Sequence, residues 1–78
     1  MTKSELLFKY QYKKPIDKED HKRLLHLATI GYVSLDFSKN ENNIPIPVAQ
    51  TTNTGKFIMR VSSTVFQRIK WGLKYFRK

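Results

Sequence analysis

Apolar residues recur along this chain in two periods, one helical and one extended. Over residues 2–12, Leu6, Leu7, Phe8 and Tyr10 supply an apolar side. Thr2-Lys3-Ser4-Glu5 has the T-x-x-E spacing in which a threonine hydroxyl and a glutamate carboxylate cap free backbone N–H groups reciprocally. An opening helix follows from this, stopped by Lys13-Lys14-Pro15 because the residue before a proline is driven out of helical backbone. A second helix is predicted over 17–30. Asp17 can cap it, Glu19 and Asp20 stand in the first turn where the helix dipole favours acids, and Gly31 is placed for a left-handed stop. At about 100 degrees per residue, Leu24, Leu25, Leu27 and Ala28 share the core arc, and Lys18, Lys22, His26 and Thr29 lie opposite.

From Gly31 the period changes to two, and Val33, Leu35 and Phe37 fall on one side of a strand, the expected core side. The polar cluster at 38–43 reads as a turn with a mobile tip. The run at 44–50 resumes extended structure, and Pro45 and Pro47 assign it to the edge of a two-stranded ribbon, since proline cannot donate to a ladder on both sides.

Two readings are open after Gln50. Asn53-Thr54-Gly55 could turn into a third strand at 56–61, with Ser62 or Ser63 capping a final helix. Alternatively Thr51 or Thr52 caps one long amphipathic helix over 53–77, in which Phe57, Val61, Val65, Ile69, Leu73 and Phe76 recur at steps of four, four, four, four and three. The unbroken stripe favours the long helix. It places Lys56, Arg60, Lys70, Lys74, Arg77 and Lys78 on the other half and leaves Arg68 as the one basic residue out of place.

Composition narrows the function. At 78 residues without cysteine, the chain has room for one domain, and a disulfide framework, a thiol nucleophile and a thiolate zinc site are excluded. A mean hydropathy of −0.53 and the lack of an apolar run near ~18 residues speak against a membrane-embedded chain. The first residues lack the apolar stretch of a secretory signal, so a cytoplasmic location is expected. Fifteen Lys and Arg against six Asp and Glu leave +9, and after Glu41 come seven basic residues and no acid. Such a balance suits a polyanionic partner, nucleic acid or an anionic membrane surface.

The phrase Leu24-x-x-Leu27-x-x-x-Gly31-Tyr32-Val33, a polar loop, then Thr52-x-x-Gly55-Lys56-Phe57 resembles the carboxyl half of a winged-helix DNA-binding domain. In that family the first segment ends the recognition helix and opens the wing, and the second closes the wing and caps a following helix. Only residues 13–16 separate the two predicted helices, so the resemblance implies either a trimmed variant or a domain in which residues 2–12 are the positioning helix and a partner subunit supplies the missing core surface. The implied architecture is a small α+β winged-helix-like domain with a two-stranded ribbon and a long basic C-terminal helix. The implied function is non-catalytic binding of double-stranded DNA, as a transcriptional regulator or accessory factor.

Within that expectation Lys18, Lys22, His26 and Thr29 meet the major groove, and Lys13, Lys14 and Lys39 meet flanking phosphates. Val65, Ile69, Leu73 and Phe76 are the expected interface of a homodimer, with Gly72 a place for close helix crossing. The alternative is a protein-interaction or membrane-surface module docking through the basic last helix, with Trp71 and Tyr75 at headgroup level. No metal, cofactor or small-molecule substrate is expected. His21 and His26 stand about 140 degrees apart on a helix, no Gly-rich phosphate loop is present, and no nucleophile–base–acid set stands out.

Overall fold

Four α-helices and a three-stranded antiparallel sheet account for residues 2–76, the part of the chain described by the computed structural model, and make it a small α+β fold. The first helix, α1 (Lys3–Lys9), starts where predicted: Thr2 Oγ1 accepts the Glu5 N–H at 3.2 Å. It stops sooner, with Tyr10 as its C-cap. Glu5 does not complete a reciprocal cap; its carboxylate accepts from the Tyr75 hydroxyl and from Lys74. Ser4, Leu6, Leu7, Phe8 and Lys9 are all buried, because α1 lies in the middle of the molecule against both C-terminal helices.

The chain then forms β1 (Lys14–Pro15), a strand where only a helix stop was expected. A 3-10 turn (Lys18–Asp20) leads into α2 (His21–Thr29), which is shorter than predicted. Asp17 makes no cap hydrogen bond; Lys9 draws its carboxylate away. The C-terminal stop is as expected. Gly31 takes φ +85, its N–H donates to Ala28 O at 3.1 Å, and the Tyr32 N–H donates to Leu27 O at 2.9 Å, so the last carbonyls are satisfied by a left-handed reversal. Leu24 and Leu27 are buried, whereas Leu25 is 47% exposed and leaves the core arc assigned to it.

β2 (Val33–Lys39) and β3 (Pro45–Thr51) pair antiparallel from Val33↔Thr51 to Lys39↔Pro45. The strand order is β1-β3-β2, so β3 is central and its expected edge position is corrected. The prolines are tolerated for a geometric reason. Along an antiparallel strand alternate residues direct their N–H and C=O to opposite neighbours. Pro47 O accepts from Ile16 N and Thr51 N donates to Tyr10 O, which puts the odd-numbered positions on the side away from β2. There β1 pairs with Val48 and Ala49, so Pro47 falls at the end of that short ladder, where its carbonyl still accepts from Ile16 N, and Pro45 lies beyond it. The ribbon tip is a closed turn: Asn40 Oδ1 accepts from Asn42 N at 2.9 Å and Ile44 N at 3.0 Å. Of the expected core side, Val33 is buried, but Leu35 and Phe37 lie outside the core, exposed along a surface cleft beside His21 and Leu25 of α2.

The predicted long helix is two helices, α3 (Asn53–Val61) and α4 (Val65–Tyr75), and residues 56–61 are helical. Thr52 caps α3, accepting from Gly55 N at 3.1 Å. The break at 62–64 comes from a second cap. Thr64 Oγ1 accepts from Gln67 N and Gln67 Oε1 accepts from Thr64 N, a complete capping box. Arg68, out of place on a continuous helix, turns back and donates to Arg60 O and Ser63 O, neutralising carbonyls at the end of α3. The predicted end at Arg77 lies outside the described residues. One core cluster joins Leu6, Leu7 and Tyr10 of the first segment to Leu24, Leu27, Val33, Ala49, Met59 and Trp71.

Candidate functional site

Burial of Leu24 and Leu27 orients α2, and the opposite side of a 3.6-residue helix then carries Lys22, His26 and Thr29, all exposed. Lys18 precedes them on the exposed 3-10 turn. The Thr29 hydroxyl donates to Leu25 O at 3.0 Å, leaving its oxygen lone pairs and methyl group outward. Lys22, His26 and Thr29 therefore share the side that the helical period assigns them, and Lys18 is exposed on the turn before it.

Acids next to this surface are disposed of by the core. Lys9, 7% exposed, donates to Asp20 Oδ2 at 2.6 Å and pairs with Asp17 Oδ2 at 2.5 Å. The Tyr10 hydroxyl donates to the same Asp20 oxygen at 2.9 Å and accepts from Asp17 N at 2.9 Å. The Lys9 hydrogen bond holds the Asp17 carboxyl below its ordinary range, against the opposing effect of burial. Burial pushes the Tyr10 hydroxyl up to about 12. Burial alone would lower Lys9, but its two carboxylate partners more than reverse this and raise it. Of the acids at the start of α2, Asp20 is buried, Asp17 is paired but its side chain is 47% exposed, and Glu19 is exposed.

Lys3 and Arg23 were not legible as site residues. Together with Lys22, His26 and Leu27 they line a cleft of about 330 Å³ between the start of α1 and α2. Lys3 Nζ also stands 5.6 Å from the Tyr32 ring centroid, a cation–π distance. The only sequence signal for them was their sign, because no local period brings residue 3 beside residue 23.

The other expected phosphate contacts are dispersed. Lys13 pairs with Asp36 at 4.0 Å, and Lys14 is half-buried with its Nζ 5.5 Å from the Tyr10 ring centroid. Lys39 is exposed at the end of β2, roughly 20 Å along the strand from Val33. His21 is turned to a different, apolar cleft of about 340 Å³ with Ile16, Leu25, Leu35, Phe37 and Pro47, away from His26. Among the described residues no group of three His, Cys, Asp or Glu could hold a metal ion, and no helix is long and apolar enough to cross a membrane.

Val65, Ile69, Leu73 and Phe76, the expected interface, are exposed on α4 and at its C-cap. Trp71 is buried against Phe8, with ring centroids 5.7 Å apart, and Tyr75 bonds to Glu5, so neither sits on the outer face as a headgroup anchor requires. Gly72 faces Phe8, where an added Cβ would meet Cζ at 3.9 Å, so it marks no close helix crossing. Comparison with protein-family models, with curated proteins and with solved structures found no match.

Proposed function

We propose that this protein binds double-stranded DNA without chemistry of its own, as a transcriptional regulator or accessory factor, through a trimmed winged-helix-like arrangement. In this reading α2 enters the major groove and the β2–β3 ribbon follows the flanking backbone. One observation carries it: Lys22, His26 and Thr29 share the outward side of α2, with Lys18 exposed on the turn before it, while Lys9 and Tyr10 draw in the adjacent Asp17 and Asp20. Two of the three acids at the start of this helix are thereby paired, and Glu19 stays on the surface with the lysines. Lys3 and Arg23 extend that surface toward α1 and supply further cations for phosphate oxygens. The Thr52 cap that closes the ribbon on Gly31, with Oγ1 donating to Gly31 O at 2.7 Å, holds ribbon and α2 in fixed relation.

Affinity then comes mainly from displaced counterions. Neutralising about five phosphates gives a slope near −4.5 in log affinity against log salt, a loss of several hundredfold between ~50 and ~200 mM. Fluorescence anisotropy with a labelled duplex measures this. Lys18→Ala with Lys22→Ala reduces affinity more than Lys70→Ala with Lys74→Ala. No binding at micromolar protein and ~50 mM salt, or equal loss from both pairs, rejects the proposal.

A further inference from the structure

We infer that the outer face of α4, together with exposed apolar residues of α3, is the contact surface for a second copy of this chain. At 100 degrees per residue α4 has three sides. Trp71, Gly72 and Tyr75 turn inward, Gln67, Lys70 and Lys74 form a polar side, and Val65, Phe66, Ile69 and Leu73 form an apolar side that no described residue covers. Phe66 is 84% exposed, Leu73 62% and Ile69 56%. Phe57 and Val61 are likewise exposed, on α3 before the link at 62–64.

The extent of this surface selects a macromolecular occupant. Val65, Phe66, Ile69 and Leu73 leave on the order of 500 Å² in water, and Phe57 and Val61 expose roughly 250 Å² more. The largest patch of an ordinary monomer is ~300–600 Å², and each partner in a standard interface contributes ~800 Å². The spacing selects a like helix. Phe66, Ile69 and Leu73 follow steps of three and four, the seam along which one helix lies against another, while Phe76 at the C-cap turns back onto Phe8 and Tyr12. A single stripe that meets itself across a two-fold axis is self-complementary. Lys70 lies roughly 70 degrees from the centre of that seam, where its ammonium group stays in water at the rim, and Lys74 lies farther round, paired with Glu5. A lipid surface is less well served, because the one tryptophan is spent in the core.

Sedimentation velocity on the full chain from 1 to ~300 µM, without DNA, tests this independently of any DNA binding, against the ~800 Å² interface expected. The expected result is a monomer–dimer equilibrium in that range, weakened at least tenfold by Ile69→Asp and by Phe66→Ser, each variant keeping the wild-type circular dichroism. Both sites are more than half exposed, so neither change empties the core. A wild-type monomer at the top concentration overturns the inference, and co-sedimentation of that monomer with anionic vesicles would reassign the face to lipid. A dimer indifferent to both substitutions overturns it equally.

Discussion

The backbone carbonyl of Tyr32 lies against Gly55 so closely that a Cβ there would stand 2.1 Å from its oxygen and 2.7 Å from Thr51 Cγ2. The same carbonyl accepts the Thr52 N–H at 3.0 Å. The start of β2 and the start of α3 are thus fastened through backbone atoms, which cannot swing aside as a long side chain would. Gly55→Ala should destabilise the fold at or beyond the upper end of the ~1–3 kcal/mol typical of overpacking, seen as a lower denaturant midpoint.

Gly72 behaves in the opposite sense. It lies within α4, and an added methyl would meet only Phe8 Cζ, at an ordinary contact distance of 3.9 Å. Gly72→Ala should therefore stabilise the protein by about 1 kcal/mol, the helix-propensity difference, and raise the melting temperature by roughly 4–8 °C.

Lys9 is the buried cation on which Asp17 and Asp20 converge. Lys9→Met leaves the Asp20 carboxylate uncompensated and should cost about 3–5 kcal/mol at neutral pH, measured by urea unfolding. Lys9→Met with Asp20→Asn should recover part of that loss, because the stranded charge is gone.

Stability should also fall at both ends of the pH scale. Asp17 and Glu5 are held below their ordinary values of 3.8 and 4.5, Glu5 chiefly by the Tyr75 hydroxyl, so what they contribute is complete above those values and is lost as pH falls through their lowered ones. Tyr10 is raised from 10.0 to about 12 and Lys9 is raised from 10.5, so their contribution is complete below about pH 10 and is lost as pH rises from there. Unfolding midpoints measured against pH should form a plateau with a shoulder on each side, and Tyr10→Phe should flatten the alkaline decline between pH 10 and 12.

Thr64 decides that α3 and α4 are separate helices. Thr64→Ala removes the cap on Gln67 N and should cost about 1 kcal/mol, with amide exchange quickening over the first turn of α4 more than over α3.

How much of this was legible follows from the range of each determinant. The caps at Thr2 and Thr52 and the reversal at Gly31 depend on atoms within one turn of chain, and all are found where the residues place them. Thr64 and Gln67 carried an equally local signal, but the apolar step of four runs unbroken from Phe57 to Leu73 and masks the stop between the helices. The central position of β3 had no local signal, because Lys14 pairs with Ala49 across a long stretch of chain. At the candidate site, the outward row of Lys22, His26 and Thr29 was legible from helical period, whereas Lys3 and Arg23 were not.

The sequence by itself therefore determined the starts of α1, β2 and α3, the stop of α2 at Gly31, and that the chain carries a large positive charge, but neither β1 nor the start of α4. Only the tertiary structure decided which charges meet solvent and which apolar faces stay uncovered. Asp17 and Asp20 look like surface acids until α1 delivers Lys9 and Tyr10 to them, and Trp71 looks like an outward anchor in the membrane-surface reading until Phe8 takes it into the core. Capping and periodicity are set by neighbours in the chain, but desolvation and charge pairing are set by neighbours in space, and those arrive from distant segments only when the core closes.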